Sequence, residues 1–387
     1  MAGAGGEAYA HWVRRAIRKA MSGHEEDIGV LFGSSVDEPV ELLRRTVRAG
    51  FGETITSRYT SVFVSGNPFV IEQLAQRYSV STDSVLPTTG ATGALSLLYR
   101  TFLSPGDHVL VESPGFDLFA DIAHALHVDV DLFKRRGDRF EVDPDEVGAR
   151  IRKNTRLIVM TNLHNPSGML MSNETMLEVA RVAERHGVKV IVDEVYGGYV
   201  DASEGVADAA TLAPNLISVS SLTKVYGLST LRCGWIVADP EVIAPVRNLS
   251  DQFEFGISKL SHAVAALVME NNEPYEEYWQ GLMREARPVM QGYFDEWCAA
   301  GLMSGVLPDY GCVAFPSVSG VADTKALAAW LADRHGVIVV PGELFGGAGH
   351  VRIGFASPKA ELERALAHLT AGLKEYREYA STRKHSA

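Results

Sequence analysis

The sequence runs from Leu157-Ile-Val-Met-Thr161 directly into Asn162-Leu-His-Asn165-Pro-Ser-Gly168. The first stretch is apolar or β-branched and has the length of a buried strand, whereas Asn-Pro and Ser-Gly pairs are typical of turns. This strand therefore ends in polar side chains. In open α/β sheets, ligands bind beyond the carboxyl ends of the strands. The junction predicts a ligand-binding edge of such a sheet.

Two further apolar runs end in the same way. Val188–Val192 leads into Asp193–Tyr196, which reads DEVY, and Leu216–Ser220 leads into Ser221–Lys224, which reads SLTK. Each of these motifs has an ordinary structural interpretation when it is taken alone. An Asn-Pro pair usually starts a turn, an aspartate usually caps a helix, and a lysine usually lies in a solvated loop. Parallel strands end at one edge of a sheet, so we expect the three junctions to converge on one crevice.

Strand-like runs alternate with longer helical patterns from about residue 85, which predicts an α/β sheet with helices on both faces. After Pro240 the pattern is helical through Ala300, and a second, smaller α/β portion follows. Near the start, apolar residues recur at helical spacing from Tyr9 to Ala20, which predicts an amphipathic helix that packs on the body or on a partner subunit. The expected strands of the first portion are His108–Glu112, Leu157–Thr161, Val188–Asp193, Leu216–Ser220 and Trp235–Ala238.

Composition excludes several classes of protein. The 387 residues include 36 Lys or Arg and 48 Asp or Glu, a formal charge of −12, so we expect neither nucleic acid nor an anionic membrane surface as a partner. The cysteines Cys233, Cys298 and Cys312 form no CxxC pair, and no disulfide framework or metal site is predicted. No apolar run has the length of a membrane span. A cytoplasmic location is the expectation by default.

The order of the motifs is more specific than any one of them. The Asn165–Gly168 turn, Asp193-x-x-Tyr196, Ser221-x-x-Lys224 and then Arg232-Cys-Gly-Trp235 resemble the class I/II aminotransferase family, a group of fold-type I enzymes dependent on pyridoxal 5′-phosphate (PLP). The resemblance extends from about residue 33 to residue 356. It implies an α/β fold-type I transferase, whose large domain has a mostly parallel, seven-stranded sheet sandwiched by helices, with a smaller α/β domain beside it.

With this resemblance, the chain divides into three parts. Residues 1–45 are expected to form an N-terminal segment that packs with the small domain. Residues 46–285 form the large PLP-binding domain, and residues 286–387 form the small C-terminal domain. The resemblance also implies a homodimer with shared active sites, in which Tyr59 reaches the cofactor phosphate of the partner subunit.

The resemblance assigns the catalytic chemistry to a few residues. Lys224 forms the Schiff base with the cofactor aldehyde and then moves the proton from the substrate Cα. Asp193 keeps the pyridine nitrogen protonated, so that the ring accepts electrons from the carbanion. Asn165 and Tyr196 hydrogen-bond the phenolic oxygen of the cofactor. The catalytic residues are thus Lys224, Asp193 and Tyr196.

The cofactor phosphate requires backbone amides, a hydroxyl and a cation at the start of a helix. The stretch containing Gly90, Ala91 and Thr92 leaves a loop and enters a helical pattern, and it aligns with the phosphate loop of the family. Ser221 and Arg232 match the hydroxyl and the guanidinium. By the same resemblance, the ring of a phenylalanine stacks on the pyridine face, and that residue is Phe116.

Substrate binding is expected at three residues. Arg352 lies in an otherwise apolar strand, and its planar fork suits the substrate α-carboxylate. The resemblance adds Asn165, and it adds Gly33, whose backbone lies near that carboxylate. The acid-proline pair that often follows this glycine is replaced here by Ser34-Ser35. Leu31, Phe32, Phe253 and Phe255 indicate either an apolar or aromatic side-chain pocket or, as is more common for such residues, packing in the core.

The resemblance implies a PLP-dependent aminotransferase that moves an amino group from an α-amino acid to a 2-oxo acid through a Schiff base on Lys224. The alternative is a β-eliminating lyase of the carbon-sulfur type, which begins with the same carbanion. Two other classes fit less well. A cofactor-sensing transcriptional regulator would carry a helix-turn-helix domain ahead of Gly33, and a dehydrogenase would carry a GxGxxG motif. The amino donor, the acceptor and the pathway stay open.

Overall fold

The structure is a computed structural model that describes residues 7–22, 28–61, 64–254 and 256–384, without the side chains of residues 202 and 380–384. The helices are α1 (Tyr9–Ser22), α2 (Val40–Phe51), α3 (Pro68–Tyr78), α4 (Gly90–Phe102), α5 (Leu118–Ala125), α6 (Pro144–Arg150), α7 (Asn173–Glu184), α8 (Ala209–Leu212), α9 (Pro240–Phe253), α10 (Lys259–Glu270), α11 (Glu273–Ala299), α12 (Thr324–Arg334) and α13 (Lys359–Lys384). The strands are β1 (Gly29–Val30), β2 (Val85–Thr89), β3 (His108–Ser113), β4 (Asp129–Lys134), β5 (Thr155–Thr161), β6 (Lys189–Asp193), β7 (Leu216–Ser221), β8 (Cys233–Val237), β9 (Met303–Ser304), β10 (Val313–Ala314), β11 (Ser317–Val318), β12 (Val337–Ile338), β13 (Val340–Pro341) and β14 (Val351–Gly354).

A seven-stranded sheet with the order β2-β8-β7-β6-β5-β3-β4 forms the centre of the fold. Strand β8 is antiparallel to both its neighbours, and the other pairs are parallel. Its central strands are apolar and buried, as expected for strands covered on both faces by helices. The predicted α/β fold with a mostly parallel sheet is confirmed.

The two strands that the sequence pattern did not predict lie at the two edges of this sheet. Strand β2 carries Pro87, which a sheet tolerates at an edge because proline cannot donate to the ladder. Strand β4 alternates acidic and apolar residues, and only Phe133 is buried among its six residues. Strand β4 therefore lacks the continuous apolar run that identifies a central strand. Strand β2 is buried at four of its five residues, but its sequence VLPTT is broken by Pro87 and two threonines.

The C-terminal portion is a smaller α/β unit. Strands β10, β14 and β13 form an antiparallel sheet, and α12 and α13 pack beside it. The N-terminal segment joins this unit, because β1 pairs in parallel with β12 and the N–H of Gly354 donates to the carbonyl of Leu31 at 2.7 Å. These bonds support the domain limits 1–45, 46–285 and 286–387, which we propose. Residue 285 falls inside α11, which continues from one unit into the other.

Helix α1 lies against the C-terminal unit with its apolar face. Trp12 and Ala16 are buried in a cluster with Ile338, Val340 and Leu344. The predicted amphipathic helix is therefore present, and its apolar face is covered by this same chain. Among the residues that the structure describes, no helix combines the length and the apolarity needed to cross a bilayer.

Candidate active site

The three sequence junctions meet at one edge of the sheet, as predicted. Strands β5, β6 and β7 are parallel neighbours, and their register sets Thr161 beside Asp193 and Asp193 beside Val219. The turn after β5 therefore brings Asn165 to the same edge as Asp193 and the loop that carries Lys224.

The carboxyl group of Asp193 is shielded from solvent. The residue is 6% exposed, and its Oδ1 accepts a hydrogen bond from the N–H of Val195 at 3.1 Å. Burial raises the pKa of this carboxyl to about 7, although the hydrogen bond and the charge of Lys224 act in the opposite direction. A protonated pyridine nitrogen next to it would favour the ionised form.

Lys224 lies close to the aromatic and polar side chains of the same edge. Its Nζ donates to the hydroxyl of Ser34 at 3.0 Å and lies 5.9 Å from the centre of the Tyr196 ring. Burial lowers the pKa of Lys224 from its ordinary value, and the nearby guanidinium of Arg352 acts in the same direction. The lowered pKa increases the fraction of neutral amine, which is the form that acts as a nucleophile and a base.

Tyr196 presents a hydroxyl that the described part of the chain leaves without a hydrogen-bond partner. The residue is 2% exposed, and burial raises the pKa of its phenol. A buried polar atom without a partner is costly, so a ligand that forms a hydrogen bond with it gains stability. The phenolic oxygen of PLP would supply that partner.

Arg352 is a buried cation whose hydrogen-bond partners among the described residues are all neutral. It is 1% exposed, and its partners are the amide oxygen of Asn165 at 3.1 Å, the carbonyl of Phe32 at 3.1 Å and the hydroxyl of Tyr9 at 2.5 Å. Its Nε–H has no partner among the residues described. The backbone at Gly33 packs on Gly354, which brings the N-terminal segment beside this guanidinium.

A cradle for an anion lies at the start of α4. Gly90 has a φ of +72°, and a Cβ there would lie 2.6 Å from Nη2 of Arg232. A Cβ on Gly234 would lie 2.3 Å from the backbone carbon of Gly90, so both positions require glycine. Ala91 and Thr92 follow in the first turn of the 13-residue helix. Free N–H groups, the helix dipole and the guanidinium together suit a phosphate.

Ser221 completes this cradle from the neighbouring strand. It is the last residue of β7 and pairs in register with Gly234 of β8. The cradle, the orphaned Tyr196 hydroxyl and the buried Asp193 carboxyl thus offer partners for the phosphate, the phenolic oxygen and the ring nitrogen of PLP. The residues present fit this cofactor.

Phe116 follows β3 in the chain and is half-buried. Its ring makes edge contacts with Tyr9 and Phe119, with 5.8 Å between ring centroids in each pair. The stack of Phe116 on the cofactor stays a prediction. Tyr59 is 48% exposed and makes an edge contact with Phe51 at 6.4 Å, and its contact with a partner subunit also stays a prediction.

Of the residues suggested for an apolar side-chain pocket, two lie near the site. Leu31 is buried in the core, and Phe32 contributes its carbonyl to Arg352. Phe253 is 64% exposed beside Arg100 and does not line the crevice of this chain. Phe255 lies outside the described residues.

Sequence reasoning missed two residues that contact the site directly. Tyr9 belongs to the predicted amphipathic helix, but nothing in that pattern shows that its hydroxyl reaches Arg352, 343 positions away. Ser34 appears in the sequence only as a departure from the family pattern. Its hydroxyl nevertheless accepts the hydrogen bond of Lys224. The departure from the family pattern at Ser34 was therefore the sequence signal that could have identified this residue.

A buried ion pair supports the Asn165 turn. Nε of Arg135 donates to Glu112 at 2.7 Å, and the hydroxyl of Thr161 donates to the other oxygen of Glu112 at 2.6 Å. The same Thr161 hydroxyl accepts the N–H of Asn165 at 3.0 Å. Arg135 stands in a run that reads KRR, which has the composition of a surface, so no sequence signal indicated its burial.

This network yields a stability prediction. Glu112→Gln removes the charge that pairs with Arg135, and breaking one side of a buried ion pair costs about 3–5 kcal/mol. We expect the free energy of unfolding to fall by that amount, measured from urea unfolding followed by tryptophan fluorescence. The control is Glu363→Gln, which removes an exposed partner of Lys359 and should cost less than ~1 kcal/mol. Equal stabilities of the two variants would contradict the interpretation.

A family model described as aminotransferase class I and II matches residues 39–369. The chain belongs to this family. Capreomycidine synthase of Streptomyces vinaceus is 30% identical over 289 residues, which cover 74% of this chain and 73% of that protein. Arginine–pyruvate transaminase AruH of Pseudomonas aeruginosa is 27% identical over 374 residues, which cover 93% of each chain.

A solved structure agrees with this family assignment. A PLP-dependent aminotransferase from Streptococcus suis superposes with a TM-score of 0.81 and 25% sequence identity, over 95% of this chain and 96% of that one. Class I/II aminotransferases act on amino and oxo acids with PLP. The chain is accordingly a PLP-dependent enzyme of the aminotransferase family.

Proposed function

We propose that the chain is an aminotransferase that moves an amino group from an α-amino acid to a 2-oxo acid. The observation that carries this proposal is Arg352, a buried guanidinium whose described partners are all neutral. A buried cation is costly unless an anion pairs with it. The α-carboxylate common to amino acids and 2-oxo acids would supply that anion within the same crevice as Lys224.

The position of each site residue determines its proposed role in the reaction. Arg352 and Asn165 bind the substrate carboxylate and fix its orientation. The Lys224 amine takes the proton from Cα, and its lowered pKa keeps part of the amine neutral for this step. Asp193 would keep a proton on the ring nitrogen of the bound cofactor. When bound, PLP supplies an electron sink for the negative charge left at Cα.

The residues around the cofactor hold it in place. Gly90, Ser221 and Arg232 would bind the phosphate, and the Tyr196 hydroxyl would donate to the phenolic oxygen. We also propose a homodimer in which Tyr59 of each chain completes the phosphate site of the other. The exposed position of Tyr59 in the single chain supports this arrangement.

The reaction is tested with purified holoenzyme and a panel of amino donors against 2-oxoglutarate and pyruvate. We expect formation of a new amino acid and a new 2-oxo acid in equal amounts, with no turnover when the acceptor is left out. Release of pyruvate and ammonia without an acceptor would contradict amino transfer.

A second reaction class has one observation in its favour. The relative at 30% identity is named a synthase and not a transaminase. An enzyme that eliminates a β-substituent, such as a carbon-sulfur lyase, or otherwise transforms the substrate after the same loss of the Cα proton would use the same Lys224 and Asp193. In that case, mass spectrometry would find product when no 2-oxo acid acceptor is added.

The anchor is tested by Arg352→Lys. Lysine keeps the charge but lacks the planar fork that binds a carboxylate with two hydrogen bonds. One charge-assisted hydrogen bond contributes ~1.5–3 kcal/mol, so we expect kcat/KM to fall by about 10- to 100-fold, mainly through KM. The control is Arg334→Lys, at an exposed position on α12. Unchanged kinetics in the Arg352 variant would remove this residue from substrate binding.

A further inference from the structure

The hydrogen bonds of Arg352 leave no complete fork for a carboxylate. A guanidinium has five N–H groups, and each of its two forks uses one hydrogen of Nη2. Nη2 already donates to the hydroxyl of Tyr9 at 2.5 Å and to the carbonyl of Phe32 at 3.1 Å. A carboxylate that binds with two hydrogen bonds must therefore replace one of these two oxygens.

The backbone carbonyl of Phe32 is the less replaceable of the two. The backbone next to Phe32 is hydrogen-bonded to the C-terminal unit. The N–H of Leu31 donates to the carbonyl of Ile338 at 3.0 Å, and the N–H of Gly354 donates to the carbonyl of Leu31 at 2.7 Å. Tyr9 contributes only a side-chain hydroxyl. The nearby hydroxyl of Ser34 contributes to lowering the pKa of Tyr9. A Tyr9 hydroxyl that leaves Arg352 would therefore remain near another polar group, the Ser34 hydroxyl.

The rest of Tyr9 is well placed to hold the hydroxyl at Arg352 while the substrate is absent. Its N–H donates to Oδ2 of Asp117 at 2.7 Å. Its ring lies 5.8 Å from that of Phe116 and 5.5 Å from that of Phe345, between ring centroids. Burial raises the pKa of the Tyr9 phenol, but the charges of Arg352 and Lys224 lower it. The lowering is the larger effect, so the pKa lies below its ordinary value.

We propose that Tyr9 is a stand-in for the substrate carboxylate: its hydroxyl occupies Nη2 of Arg352 in the empty site and yields this position when the carboxylate binds. The inference rests on the proposed function of Arg352 as the carboxylate anchor. Tyr9 thereby sets substrate affinity, because each binding event breaks the hydrogen bond between Tyr9 and Arg352. The residue is a determinant of KM that the family motifs do not include.

The test is Tyr9→Phe in the holoenzyme, with 3-phenylpropanoate as a carboxylate probe that has no amino group to react. Phenylalanine keeps the ring contacts and removes the competing hydroxyl. We expect the Kd of the probe to fall about 3- to 10-fold, the effect of one net hydrogen bond. The KM of amino substrates should fall with it, while kcat stays unchanged. An equal or weaker affinity would overturn the proposal.

Two further variants make the result specific. Tyr293→Phe removes a hydroxyl that donates to the Glu363 carbonyl at 3.3 Å on the surface, and it should leave the Kd unchanged. Arg352→Leu should abolish probe binding. If it does not, both the anchor and the stand-in are overturned. Because probe binding requires no turnover, an enzyme that binds the probe through Arg352 but transfers no amino group overturns only the proposed reaction.

Discussion

Replacing Lys224 by alanine is expected to lower amino transfer by at least about 10⁴-fold. In the proposed mechanism the variant loses both the amine that links to the cofactor and the group that moves the proton at Cα, and proton transfer by a positioned side chain alone contributes up to ~10⁴-fold. Steady-state rates with the best donor measure the loss. The visible absorbance of the lysine-bound cofactor should disappear in the same variant.

The matched control for this variant is Lys189→Ala. Lys189 starts strand β6, at the end of the strand opposite Asp193, and its Nζ lies 5.2 Å from the Phe102 ring. Its removal should change neither the rate nor the absorbance. If the Lys224 variant retained full turnover, another residue would have to carry the covalent link.

Asp193→Asn is expected to have the second largest effect. Asparagine keeps the shape of the side chain but cannot hold a proton on the ring nitrogen, so the electron sink weakens. Removal of one preorganised electrostatic contact in an active site costs about 10²- to 10³-fold in kcat. We expect a loss of that order, with a smaller change in KM, in kinetics at saturating cofactor.

Asp201→Asn is the control for the charge change. Asp201 is exposed, and its carboxylate caps a short turn by accepting the N–H of Ser203 at 2.8 Å. This variant should have nearly normal kcat. Normal turnover in Asp193→Asn would show that the buried carboxyl is not in contact with the cofactor.

The central sheet was predictable because a buried strand contains a short run of apolar residues that is visible in the sequence. Strands β5 and β6 each contain a continuous buried apolar run and β7 is buried along its whole length, since helices cover both faces, and the site residues follow where each strand ends. Each side chain at these ends is one to a few residues from its strand. Its position therefore follows once the strands are known to be parallel.

The contacts of Arg352 were not predictable in this way. Its partners Tyr9, Phe32 and Asn165 come from α1, the N-terminal segment and the turn after β5. Each is separated from it by more than 180 positions. A local sequence pattern cannot indicate contacts between residues that are so far apart along the chain. The pairing of β1 with β12 and the packing of α1 bring these groups together.

The sequence by itself determined the family, the cofactor and the residues at the strand ends. These features depend on short motifs, whose geometry is set by neighbouring residues along the chain. Only the tertiary structure decided how Arg352, the proposed substrate anchor, is held. The hydroxyl of Tyr9 lies on Arg352, that of Ser34 lies on Lys224, and Arg135 is buried against Glu112. The physical reason is that a buried charge is stabilised by whatever polar groups the fold brings within about 3 Å, regardless of their separation in sequence.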